Sequence, residues 1–241
     1  LVQTKILIVG GTGGIGSALA RRLRGRGWDV AVAARDEAKL ASLADELGVV
    51  PIRCNALVST EVDAAFQQAS EALGGLGAAA NCVGSILIKP IHLTSDQEWA
   101  ETLALNLTSA FHVLRAGART LKRDGGSIVL CSSAAAQAGL ANHEAIAAAK
   151  SGIIGMVRSA AATYAPMKLR VNAVAPGLTD TPMASRITQS PASLKVSLGM
   201  HALGRIGTPE DVASALAWLL DPEQSWVTGQ VLGVEGGLTL K

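Results

Sequence analysis

Short apolar runs alternate with stretches of helical periodicity along the whole chain. Residues 5–9 (KILIV) are continuously apolar after the lysine, end in glycines, and lead into a helical pattern through Leu19 and Leu23. This reads as strand, glycine turn, helix. The same reading predicts further strands at 30–34, 49–53, 78–83, 127–131, 170–175 and 231–234, and helices at 37–47, 61–72, 99–119, 145–164 and 209–220. Strand and helix alternate throughout, so the pattern predicts an α/β fold: a doubly wound parallel sheet of about seven strands with helices on both faces. No repeat, linker or low-complexity tract divides residues 1–241, which are expected to form a single domain.

Composition narrows the class without changing this picture. The 241 residues are 49% hydrophobic and 17% charged, with a mean hydropathy of +0.34, as in a well-buried globular protein. Aromatics are only 3%, so the core must be built from Ala, Val, Leu and Ile, whose small side chains allow close helix-on-sheet packing. No apolar run approaches the roughly 18 residues needed to span a bilayer, and the apolar start at 1–9 reads better as a strand than as a signal peptide. The cysteines Cys54, Cys82 and Cys131 form no CxxC pair, which points to a reducing cytoplasm. His92, His112, His143 and His201 lack metal-ligand spacing, so no metal is expected. The net charge is +2, and the one basic cluster (Arg21, Arg22, Arg24, Arg26) ends a predicted helix, where cations complement the dipole. Neither nucleic acid nor a membrane is expected as a partner.

The glycine turn is the first candidate for chemistry. Residues 10–16 (GGTGGIG) satisfy several glycine templates at once, so the string alone specifies only a tight turn. Placed between a strand and a helix it does more: glycines let the backbone approach a diphosphate, whose charge is met by the helix N-terminus. A Rossmann-like dinucleotide site is therefore predicted. At the end of the second strand an acidic residue would hold the ribose 2′-hydroxyl of NAD; here Ala34 is followed by Arg35, which offers a cation to a 2′-phosphate. NADP(H) is the expected cofactor in preference to NAD(H), although Asp36 is adjacent and Arg35 could be a solvated loop charge.

With these elements in place the chain resembles the short-chain dehydrogenase/reductase family over nearly its whole length. The turn is similar to that family's TGxxxGxG, with Val9 in place of the Thr and Gly10, Gly14 and Gly16 on the glycines, and Thr12, Gly13 and Ile15 between them. Residues 81–84 (NCVG) look like its NNAG, bringing Asn81, Val83 and Gly84 to the cofactor. Asn106, Ser133 and Lys150 fall at the family's catalytic Asn, Ser and Lys. Residues 176–181 (PGLTDT) match its PG segment, which implies cofactor contacts for Pro176, Gly177, Thr179 and Thr181. Strings at 205–212 (RIGTPEDV) and 228–237 (TGQVLGVEGG) are close to the usual C-terminal ones. Asn55, next to Ala56, stands where the family usually has an Asp near the adenine, and Gly77 replaces another common Asp.

The serious departure is Ile146. In the family's YxxxK pattern the position four before Lys150 carries the tyrosine that protonates the developing alkoxide, and isoleucine has no proton to give. Loss of a general acid is typically worth roughly 10² to 10⁴ in rate. Tyr164, the only tyrosine, lies about 27 Å further along the predicted helix and cannot substitute. His143 precedes Ile146 by three residues; if the helix already includes it, an imidazole suited to acid–base work projects from the same face. The favoured reading is a helix-entry or loop residue exposed to water. Glu144 is turned away by its spacing.

Two functions follow from this reading. One is an NADP(H)-dependent oxidoreductase of a small carbonyl or hydroxyl compound with an altered proton donor. The other is a cofactor-binding sensor or structural subunit without turnover. The resemblance also implies a homodimer or homotetramer, formed through the small-residue helix at 145–165, and a segment at about 183–205 that covers the substrate.

Overall fold

The computed structural model describes residues 4–240; the first three residues of the apolar start, and Lys241, lie outside them. Seven strands form one parallel sheet in the order β3-β2-β1-β4-β5-β6-β7. They are β1 (Lys5–Val9), β2 (Asp29–Ala34), β3 (Val50–Arg53), β4 (Ala78–Asn81), β5 (Gly126–Cys131), β6 (Leu169–Pro176) and β7 (Val231–Val234). The helices are α1 (Gly14–Arg24), α2 (Glu37–Leu47), α3 (Ser59–Leu73), α4 (Asp96–Leu103), α5 (Ser109–Leu121), α6 (Glu144–Tyr164), α7 (Ser185–Thr188), α8 (Pro191–Met200) and α9 (Pro209–Leu220).

Strand residues point alternately to the two faces, and each face is buried by its own helices. Leu7, Val9, Ala31 and Ile128 pack with α3, α5 and α6 through Phe66, Val113 and Ile153. Ile6, Ile8, Val32 and Val129 pack with α1, α2 and α9 through Leu19, Leu40 and Leu216. Both layers are rich in alanine, as the low aromatic content requires. The strand order reverses direction between β1 and β4, so the two halves of the winding diverge there. Their C-terminal ends leave the crevice in which such sheets bind ligands.

The expected single helix over 99–119 is broken. Ser95 and Glu98 form a capping box that starts α4 earlier, at Asp96, and residues Ala104–Thr108 then adopt a π-helical turn before α5. Such turns insert an extra residue and re-aim the side chain that follows; here the turn contains Asn106. The segment 183–205, read without regular structure, carries α7 and α8. Ser190 caps α8 through the Ser193 N–H, and Pro191 opens it. Two residues of the basic cluster have structural partners: Arg21 pairs with Glu46 at 2.6 Å, and Arg24 donates to the Leu47 and Trp28 carbonyls.

Candidate active site

The glycine turn is shaped by what surrounds it. Gly10 has φ +78°, and a Cβ there would lie 2.8 Å from the Val83 nitrogen. A Cβ on Gly16 would lie 2.4 Å from the Gly10 carbonyl oxygen, and one on Gly14 2.8 Å from Thr181 Cγ2. Side chains at these positions would therefore force the strand, the helix and the 176–181 segment apart. Gly13 is the N-cap of α1 and provides no side-chain acceptor, so the helix presents its first N–H groups and the positive end of its dipole to the crevice.

Two adjoining clefts open along the strand ends. One, of about 600 Å³, is lined by Gly10, Thr12, Gly13, Arg35, Asn55, Ala56, Val83 and Gly84, among others. Arg35 is exposed, and among the described residues no hydrogen bond or ion pair engages its guanidinium. Asp36 is occupied otherwise: its carboxylate caps α2 through the Lys39 N–H at 3.1 Å and meets Lys39 Nζ at 3.3 Å. These contacts lower its pKa, the backbone hydrogen bond from Lys39 most of all. Lys39, which also lines this cleft, was absent from the expected site; its only sequence signal is its place in the first turn after Arg35. Asn55 Oδ1 accepts from the Leu57 N–H at 3.1 Å, leaving its amide hydrogens for a ligand. The predicted Gly14, Gly16 and Asn81 line neither cleft. Asn81, 1% exposed, braces Val83 through Oδ1 while its Nδ2 is buried with no hydrogen-bond partner among the described residues.

The second cleft is a chamber of about 240 Å³ that shares Cys82, Val83, Gly84 and Met183 with the first. Ile15, Asn106, Ser133, His143, Ile146, Lys150, Pro176, Gly177, Thr179 and Thr181 all line it. Lys150, 6% exposed, donates from Nζ to the Cys131 carbonyl at 2.9 Å, and Ser132 Oγ donates to the Lys150 carbonyl. Burial pushes the Lys150 pKa down. Ser133 Oγ accepts from the Ala135 N–H at 3.2 Å, so its own hydrogen remains available. Asn106, fully buried, is used up: Nδ2 donates to Ser85 Oγ and the Thr102 carbonyl, and Oδ1 accepts from the Ser85 N–H. Its role here is to hold the 84–85 loop, a partnership with Ser85 that spacing alone did not reveal.

Ile146 is 5% exposed and puts hydrocarbon into the chamber one turn before Lys150. Tyr164 ends α6, packs against the core on that face of the sheet and does not line the chamber. His143 is the N-cap of α6 and lies outside the helix, so the same-face projection considered for a helical His143 does not apply. It reaches the chamber wall all the same: Nδ1 lies 2.7 Å from the Ala141 carbonyl, which can only accept, so Nδ1 carries hydrogen and Nε2 is the ring's free position. Glu144 is exposed and lines neither cleft. Among the described residues no cluster of three or more His, Cys, Asp or Glu could hold a metal, and no helix is long and apolar enough to cross a membrane.

A parallel sheet whose first turn is a glycine cradle at a helix N-terminus, with clefts running past it to a buried lysine, defines a dinucleotide-binding α/β protein. Comparison with known proteins makes this specific. Residues 10–239 match the family described as Enoyl-(Acyl carrier protein) reductase. A tropinone reductase homolog of Arabidopsis thaliana is 34% identical, covering 97% of this chain and 91% of that protein. A 2,5-dichloro-2,5-cyclohexadiene-1,4-diol dehydrogenase of Sphingobium indicum is 35% identical over 97% of this chain and 96% of that protein. The structure of a short-chain type dehydrogenase/reductase from Mycobacterium ulcerans superposes with a TM-score of 0.94 at 31% identity, covering 98% of this chain and 90% of that one. The chain belongs to the short-chain dehydrogenase/reductase family, whose members are oxidoreductases of small molecules, and membership implies a nicotinamide cofactor.

Proposed function

We propose that the protein is an NADP(H)-dependent oxidoreductase that interconverts a carbonyl and a hydroxyl group on a small molecule, with a proton donor other than tyrosine. The observation that carries this reading is the continuity of the two clefts, one ending at the unpaired Arg35 and the other at Lys150 and Ser133 in an apolar chamber.

A nicotinamide, when bound, supplies or takes the hydride. The chain's own groups do the rest. The N–H groups at the start of α1, with Thr12 and Gly13, hold the diphosphate, while Arg35 and Lys39 meet a 2′-phosphate. Lys150 spends one hydrogen on the Cys131 carbonyl and has others for the ribose. Ser133 donates to the substrate oxygen. Ile146, at the tyrosine position of the family's YxxxK, can only exclude water. The proton at the substrate oxygen is assigned to His143 in its imidazolium form, given from Nε2, with the ring oriented by its Nδ1 bond to Ala141. Ile86, Ile88, Leu140 and Ile187 make the chamber apolar, which suits a ring ketone or cyclic alcohol, in keeping with a relative named for a cyclohexadiene diol. Residues 183–205 are assigned the substrate cover, since Met183, Ile187, Ser197 and Met200 line the chamber. Association through α5 and α6 is proposed from exposed Phe111 and the open face at Gly155; sedimentation measures it.

The test combines NADPH and NADH titrations with NADPH consumption on a panel of cyclic ketones, aldehydes and quinones. Preference for NADPH with turnover supports the proposal. Tight NADPH binding with no turnover on any compound replaces it with the sensor or structural-subunit reading, which the hydrocarbon at 146 favours.

A further inference from the structure

Cys82 and Cys131 meet where the two clefts join. Asn81 pairs with Leu130 in the parallel ladder of β4 and β5, so the next residue on each chain, Cys82 and Cys131, faces its counterpart. Their side chains interact with one another at the end of the ladder. Both line the Lys150 chamber, and Cys82 also lines the Arg35 cleft. Cys82 is half-buried and Cys131 is 8% exposed, and neither has a part in the chemistry assigned above. Cys54 contrasts with them. It is 2% exposed, and burial pushes its thiol up to about 11.

We infer that Cys82 and Cys131 form a reversible dithiol–disulfide site, oxidised by a hydroperoxide, whose closure weakens dinucleotide binding; the second half of this inference rests on the dinucleotide reading of the clefts. The Lys150 ammonium, anchored 2.9 Å from the Cys131 carbonyl, is a fixed cation beside the pair. The Cys82 side chain, with that cation, favours the Cys131 thiolate against the cost of burial. The same interaction, with burial, holds Cys82 as the thiol. Cys131 is therefore the attacking sulfur.

The chemistry balances with a hydroperoxide as oxidant. The Cys131 sulfur attacks one peroxide oxygen, the O–O bond breaks, and the departing alkoxide takes a proton and leaves as an alcohol, or as water from hydrogen peroxide. Cys131 is then a sulfenic acid. The Cys82 sulfur displaces its hydroxyl, the S–S bond forms, and the hydroxyl leaves as water with the Cys82 proton. The two sulfurs lose two electrons and the hydroperoxide gains them. A small thiol reverses the link by exchange.

The coupling to the clefts is mechanical. Neighbouring strands lie about 4.7–4.9 Å apart, inside the Cα separation of about 4.4–6.8 Å that disulfides accept but short of their usual 5.5–6 Å. Linking therefore shifts residues 82–84 against β5. That stretch has no slack: a Cβ on Gly10 would already stand 2.8 Å from the Cys82 carbonyl carbon, and one on Gly84 would stand 3.0 Å from Asn106 Oδ1. A displaced Cys82 carries the floor shared by both clefts with it.

The experiment treats the full chain with hydrogen peroxide, with and without saturating NADPH, then alkylates, digests and maps the peptides by mass. NADPH affinity is read in parallel by fluorescence. The expected result is a Cys82–Cys131 link, a Cys54 thiol that remains free, suppression of the link by prior NADPH, and NADPH affinity lowered about tenfold or more and restored by dithiothreitol. Cys131→Ser and Cys82→Ser should each bind NADPH equally before and after peroxide. Thiols that stay unlinked, or a link that leaves NADPH affinity unchanged, overturn the inference. Failure of the reduced protein to bind NADPH sinks the dinucleotide reading instead, and the peptide map still decides the thiol pair.

Discussion

Replacing Gly16 by alanine sets two effects of opposite sign against each other. Alanine inside α1 gains about 1 kcal/mol of helix propensity. Against this, the added Cβ would stand 2.4 Å from the Gly10 carbonyl oxygen, 2.7 Å from Gly11 Cα and 3.1 Å from the Gly10 carbonyl carbon. All three are backbone atoms, so no rotamer change relieves the contact and the turn or the helix must move. Overpacking typically costs ~1–3 kcal/mol, and a backbone clash of this closeness belongs at the upper end. The net loss is then ~2 kcal/mol, which lowers Tm by about 4–8 °C in a chain of this length. Thermal unfolding followed by circular dichroism reads the stability, and NADPH titration reads the cradle. Gly199→Ala is the control: it lies in α8 with no atom of the described residues within 4 Å of its Cβ position, so the same substitution should be neutral or stabilise by up to ~1 kcal/mol. If Gly16→Ala melts with the wild type and binds NADPH as tightly, the close-approach reasoning is wrong.

Arg35→Asp should reverse cofactor preference, with NADPH affinity falling by about tenfold or more while NADH affinity is kept; preference for NADH in the wild type refutes the assignment. Ile146→Tyr should raise carbonyl reduction by about 10² or more by returning a phenol beside Lys150, and unchanged rates would show that proton supply is not what restrains turnover. His143→Ala should abolish reduction with NADPH affinity retained; undiminished turnover removes the histidine from the mechanism. The Asp211 carboxyl is held at about 2, first by the Arg205 side-chain hydrogen bond and then by the Thr208 N–H. A depressed carboxyl pKa contributes stability above its unfolded value near 3.9, and that stability is lost as pH falls through about 2. Urea midpoints should therefore drop between about pH 4 and pH 2, less steeply for Asp211→Asn.

Strand and helix identity were readable from local pattern because burial on a two-faced sheet imposes continuous apolar runs, and helices facing it impose a 3.6-residue period. The predicted β7 and α9 match those observed end for end. So does α2, set by Asp36 at its N-cap and Gly48 in the left-handed region at its end. The break around Asn106 was not readable, since a π turn leaves the apolar period nearly intact and is stabilised here by contacts with Thr102 and Ser85. Helix α8 was missed because its apolar positions do not form one face: no residue of it is fully buried.

The candidate site divides along the same line. Local pattern singled out the glycine turn and Arg35, each at a strand end, whereas Ser133, Lys150 and Ile146 were chosen by resemblance to the family; the last three line one chamber in the structure. Only folding decided that Asn106 is spent on the 84–85 loop, that His143 caps α6 and still reaches the chamber, that Lys39 joins Arg35, and that two cysteines 49 positions apart in the chain touch. Those facts depend on which strand lies beside which. That order is set by how the crossovers pack their helices on the two faces, a nonlocal choice that local periodicity does not encode.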